Sequence, residues 1–581
     1  MTKREWLWPA VLIAWLVASV VLLADSARDM RSLRLPDPDD TMRLMEVRDW
    51  LAGQSWWDVR QYHFVAGDMH WSRLVDLPIA AVMLATAPMF GVAGAERIAL
   101  IVVPLATFLV VLALAAGLTR RVLDTERARA AVLIAPLSIP LLYQLRPMRI
   151  DHHGWQVALA LAALFLLLGR PSFRNGAWMG ICLSGLITVS LEGLPISAAL
   201  CGIAALAWAF DPARRNMLLG MAWSLFATLA LLQLATRGIH YAAPMCDAVT
   251  LDWVAVAGMA AFTVSLATLA ARAPLALRLG ALGLAGCATL GVLLATAPEC
   301  LGGPFAQLDP LTRALWYEKV SEGLPIWHQS PAVAIKMIGL PIVGLIGSIL
   351  ALRRSDDEVR TRWTLLVAAQ LLAFLFALLV MRAGATANAF AVPGAAWALH
   401  AMLTRARAIR PVIIRTFATA AALFIASPGL VAMALLDVPR ALSVQAQRPG
   451  PALAWSGCVD GTESRAVAQL PPALLFAPLD IAPDIVATTH HRAITSGYHR
   501  NSAAMHDVIS AFIGTPEAAH ALIRRFRADY VVICPGMNEP VMYRAQNLAG
   551  FAARLLRGER FDWLQPVPIA GSPVLVWRVR N

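Results

Sequence analysis

About thirteen apolar runs, each near the length needed to cross a bilayer core, recur along this chain. A backbone in lipid must satisfy its own hydrogen bonds, so these runs can only be helices. They fall at 7–24, 97–118, 131–147, 154–169, 176–191, 194–210, 216–235, 251–271, 275–296, 334–352, 363–381, 386–403 and 411–436. Composition agrees: 59% of the 581 residues are apolar and 15% charged, with a mean hydropathy of +0.63.

The net charge of +12 is not a nucleic-acid signal, because the basic residues sit in alternate short loops. Arg120, Arg121, Arg127 and Arg129 share one loop, Arg170 and Arg174 another, and Arg353, Arg354, Arg360 and Arg362 a third. The positive-inside rule puts these loops and the N-terminus in the cytoplasm. Leu7–Leu23 reads as an uncleaved first span. Residues 76–91 are also apolar, but a crossing there would invert every later loop. They read as a re-entrant or surface-lying segment. The expectation is a multi-pass protein of the inner membrane with its C-terminus in the periplasm. Residues 1–437 form the membrane domain, and 438–581 a periplasmic α/β domain. In the tail, 473–476, 530–534 and 574–578 read as strands and 516–527 as an amphipathic helix. Cys246, Cys300, Cys458 and Cys534 all map outside. There Cys458–Cys534 and Cys246–Cys300 bridges compete with buried free thiols.

Three acidic motifs fall on that same outer side. Asp37-Pro38-Asp39-Asp40 lies in a long first outer loop, 25–75. Asp151-His152-His153 opens the fourth run, just after Arg146 and Arg149. Glu322 lies in a second long loop, 297–333, read as mobile. Clustered carboxylates with an imidazole suit a divalent cation, Mg²⁺ or Mn²⁺. Arginines beside them suit phosphate oxygens. Each motif also has a plainer reading: a turn and helix cap for Asp37-Pro38, a helix mouth for Asp151, a surface glutamate for Glu322. Arg382 and Glu192, at the outer ends of two runs, are either functional ionisable groups or interfacial ones.

In their order and spacing, these motifs resemble the catalytic subunits of oligosaccharyltransferase, of the C-type glycosyltransferase fold. Asp37-Pro38 with Arg43 resembles that family's first acidic motif and Asp151-His152-His153-Gly154 its second. Val320-Ser321-Glu322 with Pro325 is similar to its outer-loop glutamate motif, and Arg382 to its arginine facing the lipid pyrophosphate. The resemblance implies a polytopic α-helical membrane protein with a C-terminal extracytoplasmic α/β domain. It would move a sugar or oligosaccharide from a polyprenyl-linked donor to a lipid, glycan or protein acceptor. Asp37, Asp151, His153 and Glu322 would hold the metal. Arg382 and Arg149 would meet the donor phosphate. Asp37, Asp39 and Glu322 would serve catalysis, and Asp40 and Asp480 the acceptor. One departure stands out. Where the family has its Trp-Trp-Asp acceptor motif, this chain reads Pro478-Leu479-Asp480-Ile481. Two further readings remain: a protein N-oligosaccharyltransferase with a divergent sequon pocket, and a lipid-linked glycan transporter.

Overall fold

The structure, a computed structural model, describes residues 7–65, 67–238, 245–437, 458 and 462–580. Every one of the thirteen apolar runs is helical there. Among the described residues, eight helices are long and apolar enough to cross a membrane, or ten when two bent pairs each count as one span. Both bends have a proline cause. Thr125–Leu137 meets Ile139–Leu145 at 71°, with Pro140 in the first turn of the second helix. Val412–Ala426 meets Pro428–Asp437 at 95°, where Ser427 precedes Pro428 and leaves the helical region. His153–Leu167 is apolar but spans only 15 residues. Gly384–Arg407 is long enough but lies inside the bundle, and every residue from Gly384 to Ala396 is buried. Residues 76–91 are helical and join the next span across a break at Gly91, whose φ of 69° suits a residue without a Cβ.

Small residues let the interior helices touch. A Cβ on Gly394 would overlap the Gly344 carbonyl, and one on Gly347 the Gly394 carbonyl. Pro331–Leu352 and Gly384–Arg407 therefore pack backbone to backbone. The buried Asn388 accepts from Ser138 Oγ (2.9 Å) and donates to the Met337 carbonyl (2.7 Å), tying three helices together.

These helices also separate two chemistries. Pro331–Leu352 is roughly 33 Å long at 1.5 Å per residue. Near one end, Lys336 borders a cavity lined by Asp37, Asp39 and Glu322. At the other, Ala351 borders a recess lined by Arg120, Arg121, Arg127, Arg354, Arg362 and Arg405. The acidic motifs and the basic loops thus occupy opposite ends of a multi-pass helical bundle.

The tail carries a five-stranded sheet of Leu474–Phe476 (β1), Arg492–Ala493 (β2), Tyr530–Ile533 (β3), Leu564–Pro566 (β4) and Leu575–Val579 (β5), in the order β2-β1-β3-β5-β4. β1 pairs with β2 and β3 in parallel, and β5 pairs with β3 and β4 antiparallel. The amphipathic helix runs Pro516–Phe526, capped by Thr515. Phe476, Phe512 and Val531 are fully buried between sheet and helices. Both disulfides form, Cys246–Cys300 and Cys458–Cys534. The expected tail start at 438 lies outside the described residues.

Both long loops, 25–75 and 297–333, are built into the tail. The backbone of the first pairs with the segment around β2, through Ala493 N–H to His63 O (3.0 Å) and Val65 N–H to Ile494 O (3.1 Å). The second packs Leu311, Leu315 and Trp316 against the tail core. Three regions distant in sequence therefore enclose one space above the bundle.

Candidate active site

Asp37 caps the helix Pro38–Leu51, its side chain accepting from Asp39 N–H at 3.0 Å. It also lines the cavity and lies 3.3 Å from Arg149. Capping the helix therefore leaves Asp37 in the cavity wall. Asp39 faces the same cavity. Burial, then Asp37, Glu322 and Asp151, push its carboxyl well above the usual range. Asp40, expected to meet the acceptor, turns the other way. It is fully buried and accepts from Ile150 N–H (2.7 Å), Asp151 N–H (2.9 Å) and Arg149 (3.1 Å). Burial outweighs Arg149 and raises its carboxyl to about 8. Arg43 is structural too, paired with Asp76 at 2.7 Å and lying over Trp71.

Arg149, expected at the donor phosphate, is also interior. Its guanidinium reaches Asp37, Asp40 and Asp151 at 3.3, 3.1 and 2.8 Å and does not border the described cavities. Asp151 holds His153 twice, accepting its N–H at 2.9 Å and facing Nδ1 at 2.8 Å. Burial opposes ionisation of Asp151, but Arg149 and His153 hold its carboxyl well below the usual range. In this geometry Asp151 orients an imidazole, as a carboxylate behind a metal-binding histidine does.

That orientation aims His153 Nε2 at Glu192 Oε2, 3.5 Å away, and His152 Nε2 lies at the same distance. All three imidazole and carboxylate donors fall within 4.8 Å of one another. Both Nε2 atoms are buried without a hydrogen-bond partner. Two orphaned imidazole nitrogens and a carboxylate fit a divalent transition metal. Asp37, Asp151 and Glu322 form no such close group among the described residues. Glu322 lies across the cavity against Arg382, at 3.7 Å. Burial and Asp37 raise its carboxyl, while Arg382 lowers it. Arg382 pairs with Glu192 as well. Glu192 is thus the hinge of the cluster, joining both histidines to the arginine.

Two cavities meet there. One, of 680 Å³, has a mostly apolar wall into which Asp37, Asp39, Glu322, Asp480 and Glu539 bring carboxyl groups. The other, of 510 Å³, is largely apolar, with Leu194, Ile196, Trp253, Phe376 and Leu379 in its wall. Glu192 and Arg382 line both.

On the tail side, Asp480 Oδ2 accepts from Glu539 N–H at 2.9 Å, and its Oδ1 is buried without a partner. Burial raises Asp480 to about 6, and burial with Asp480 raises Glu539 well above the usual range. Glu539 went unread in the sequence because nothing around Asn538-Glu539-Pro540 departs from an ordinary helix start. The grouping of His152 with Glu192 was hidden because they lie 40 residues apart along the chain.

No family model and no curated protein matches the sequence. Solved structures do. The oligosaccharyltransferase AglB of Archaeoglobus fulgidus, in complex with an inhibitory peptide and a dolichol-phosphate, superposes with a TM-score of 0.65 at 14% identity, covering 97% of this chain and 73% of that one. The Archaeoglobus fulgidus oligosaccharyltransferase tethered to an acceptor peptide containing the NVT sequon gives 0.63 at 15% identity, covering 98% and 74%. A complex of that protein with Zn and sulfate gives 0.57 at 14%, covering 97% and 73%. At these identities the likeness is one of fold, and this chain has the fold of the archaeal oligosaccharyltransferase from its first span to its tail.

Proposed function

We propose that the chain is a glycosyltransferase that moves a sugar or oligosaccharide from a polyprenyl-phosphate or polyprenyl-pyrophosphate donor to an acceptor. The reaction would take place on the periplasmic face of the inner membrane, where the charge bias of the loops puts the acidic end. The observation that carries this reading is the meeting of the two cavities at Arg382. An isoprenoid chain needs an apolar groove, its phosphate needs a cation at the groove's mouth, and an acceptor needs room beyond it with a few hydrogen-bonding groups in the wall. The shared fold adds weight, since the archaeal structure was solved in complex with an inhibitory peptide and a dolichol-phosphate.

His152, His153 and Glu192 would hold a divalent metal, with Asp37 and Glu322 supplying further negative charge from the cavity wall. Bound there, the ion would stabilise negative charge on the departing phosphate. The protein's own residues orient the reactants. Arg382 holds the donor phosphate, Asp151 fixes the His153 ring, and Asp37 or Asp39 positions the acceptor. Mg²⁺ or Mn²⁺ fits the carboxylates, and the two imidazoles favour Mn²⁺ or Zn²⁺ between them. The relative crystallised with Zn and sulfate is in keeping with that donor set. The division into a membrane domain, 1–437, and a periplasmic domain, 438–581, belongs to the same proposal.

The test is a deletion strain profiled for lipopolysaccharide, exopolysaccharide and periplasmic glycoproteins, complemented by the wild type and by His153→Ala. Loss of one glycan class, restored by the wild type alone, is the expected result. An unchanged profile, or full rescue by the variant, would remove the reading.

A further inference from the structure

His499 belongs to none of the acidic motifs, yet like Glu192 and Arg382 it lines both cavities. Its Nε2 lies 2.8 Å from Asp247 Oδ2. Asp247 is itself clamped by Arg500, through Nε to Oδ2 and Nη2 to Oδ1, both at 2.7 Å. Phe305 and His70 meet the imidazole edge-on, with ring centroids 5.0 and 4.9 Å away, so its plane is set. With Nε2–H donating to Asp247, Nδ1 carries the lone pair, and it has no hydrogen bond among the described residues. His70, Asp247 and His499 also lie within metal-binding distance of one another. The guanidinium on both Asp247 oxygens opposes a second cation there. A histidine in a cavity wall, oriented by a carboxylate at one nitrogen and with no such hydrogen bond at the other, is instead built to move a proton.

We propose that His499, oriented by Asp247, is a general base that takes the proton of a hydroxyl acceptor, so that the chain forms O-glycosidic bonds. This rests on the glycosyl-transfer reading above. In the step, the acceptor O–H proton passes to His499 Nδ1 and the acceptor oxygen bonds to the anomeric carbon. The bond from that carbon to the lipid phosphate oxygen breaks, and its electron pair leaves on the phosphate beside Arg382. A hydroxyl oxygen has a free lone pair for this attack. A carboxamide nitrogen has its lone pair delocalised into the carbonyl, and an imidazole alone does not release it. The acceptor side of the cavity suits a polyol: Asp480 and Glu539 offer carboxyl groups, and Trp316 and Tyr317 offer ring faces.

Membranes of the deletion strain hold both donor and acceptor, whatever their structures. Purified full-length protein added to them would be followed by mass spectrometry of the glycan product. Binding of undecaprenyl phosphate would be measured in parallel as a donor-side probe. His499→Gln is expected to slow product formation roughly a hundredfold or more, and Asp247→Asn roughly tenfold or more, with both variants still binding undecaprenyl phosphate. Free imidazole is expected to restore part of the rate to His499→Ala, which a purely structural role would not allow. A wild-type rate in His499→Gln, a folded His499→Ala that imidazole does not rescue, or a product linked through asparagine nitrogen would overturn the proposal. A wild-type protein that binds undecaprenyl phosphate but shows any of these results loses only the base. One that neither binds it nor makes product loses the transfer reading as well.

Discussion

An oxygen of the Asp40 side chain accepts the backbone N–H of Asp151 at 2.9 Å, across 111 residues of sequence. Through this bond and the Ile150 N–H beside it, the first acidic motif holds the second in place. Arg149 then neutralises what the two motifs bring together. Its guanidinium sits among Asp37, Asp40 and Asp151 and is itself fully buried.

Removing that guanidinium leaves buried carboxylates without a counter-charge. Arg149→Met is expected to destabilise the protein by about 3–5 kcal/mol, read as a lower unfolding midpoint in detergent. Arg149→Lys keeps the charge but cannot reach three carboxylates at once, and an intermediate loss is expected.

Metal affinity separates two ligand sets. If His152, His153 and Glu192 hold the ion, Glu192→Gln and His153→Ala each weaken Mn²⁺ binding at least tenfold by calorimetry, while Glu322→Gln changes it little. The reverse order would return the site to Asp37, Asp151 and Glu322.

Asp480 and Glu539 make the tail sensitive to pH. Both carboxyls are raised in the folded state, Asp480 to about 6 and Glu539 further. Their protonated forms are therefore the ones the fold favours. The associated stability is fully present below the unfolded carboxyl value of about 4. It is lost as pH rises through about 6 and beyond. The unfolding midpoint of the full-length protein should fall over that range, and Glu539→Gln should flatten the fall. A midpoint that rises instead would show that the pair is ionised when folded.

Gly394 tests the contact between Pro331–Leu352 and Gly384–Arg407. Gly394→Ala forces a methyl against the Gly344 carbonyl and is expected to cost about 1–3 kcal/mol by overpacking. Gly283→Ala, where a Cβ inside the helix Leu275–Thr296 meets nothing within 4 Å, should not lower the midpoint and is expected to raise it slightly.

The Cys246–Cys300 bridge closes 54 residues and anchors the start of the loop bearing Glu322. Loop-closure entropy of that size is worth about 4 kcal/mol. Cys300→Ser should lower the midpoint, and reducing the wild type should reproduce the loss.

Some of this was legible from residue order alone. An apolar run declares a membrane helix because lipid leaves the backbone no other partner, so all thirteen helical runs could be read without coordinates. The tail strands at 474–476, 530–533 and 575–579 showed by composition and alternation. The two-residue β2 and the Gln-Pro-containing β4 did not, because their pairing comes from neighbours rather than from their own side chains. The acidic motifs were visible as carboxylates, and Asp37, Asp39, Glu322, Arg382 and Asp480 do face one cavity. What each carboxylate touches was decided by tertiary structure. Asp40 and Arg149 look equivalent to their neighbours in sequence, but the helix Pro38–Leu51 turns Asp40 inward onto the loop at 150 and Arg149 with it. Glu192 stands 40 residues from His152, and Asp247 stands 252 from His499. No local pattern links such pairs, because a contact between helices depends on how they pack. The chain's order of residues determined a membrane bundle with an acidic end. Packing decided which acids ionise, which imidazoles are left unpaired, and where two cavities meet.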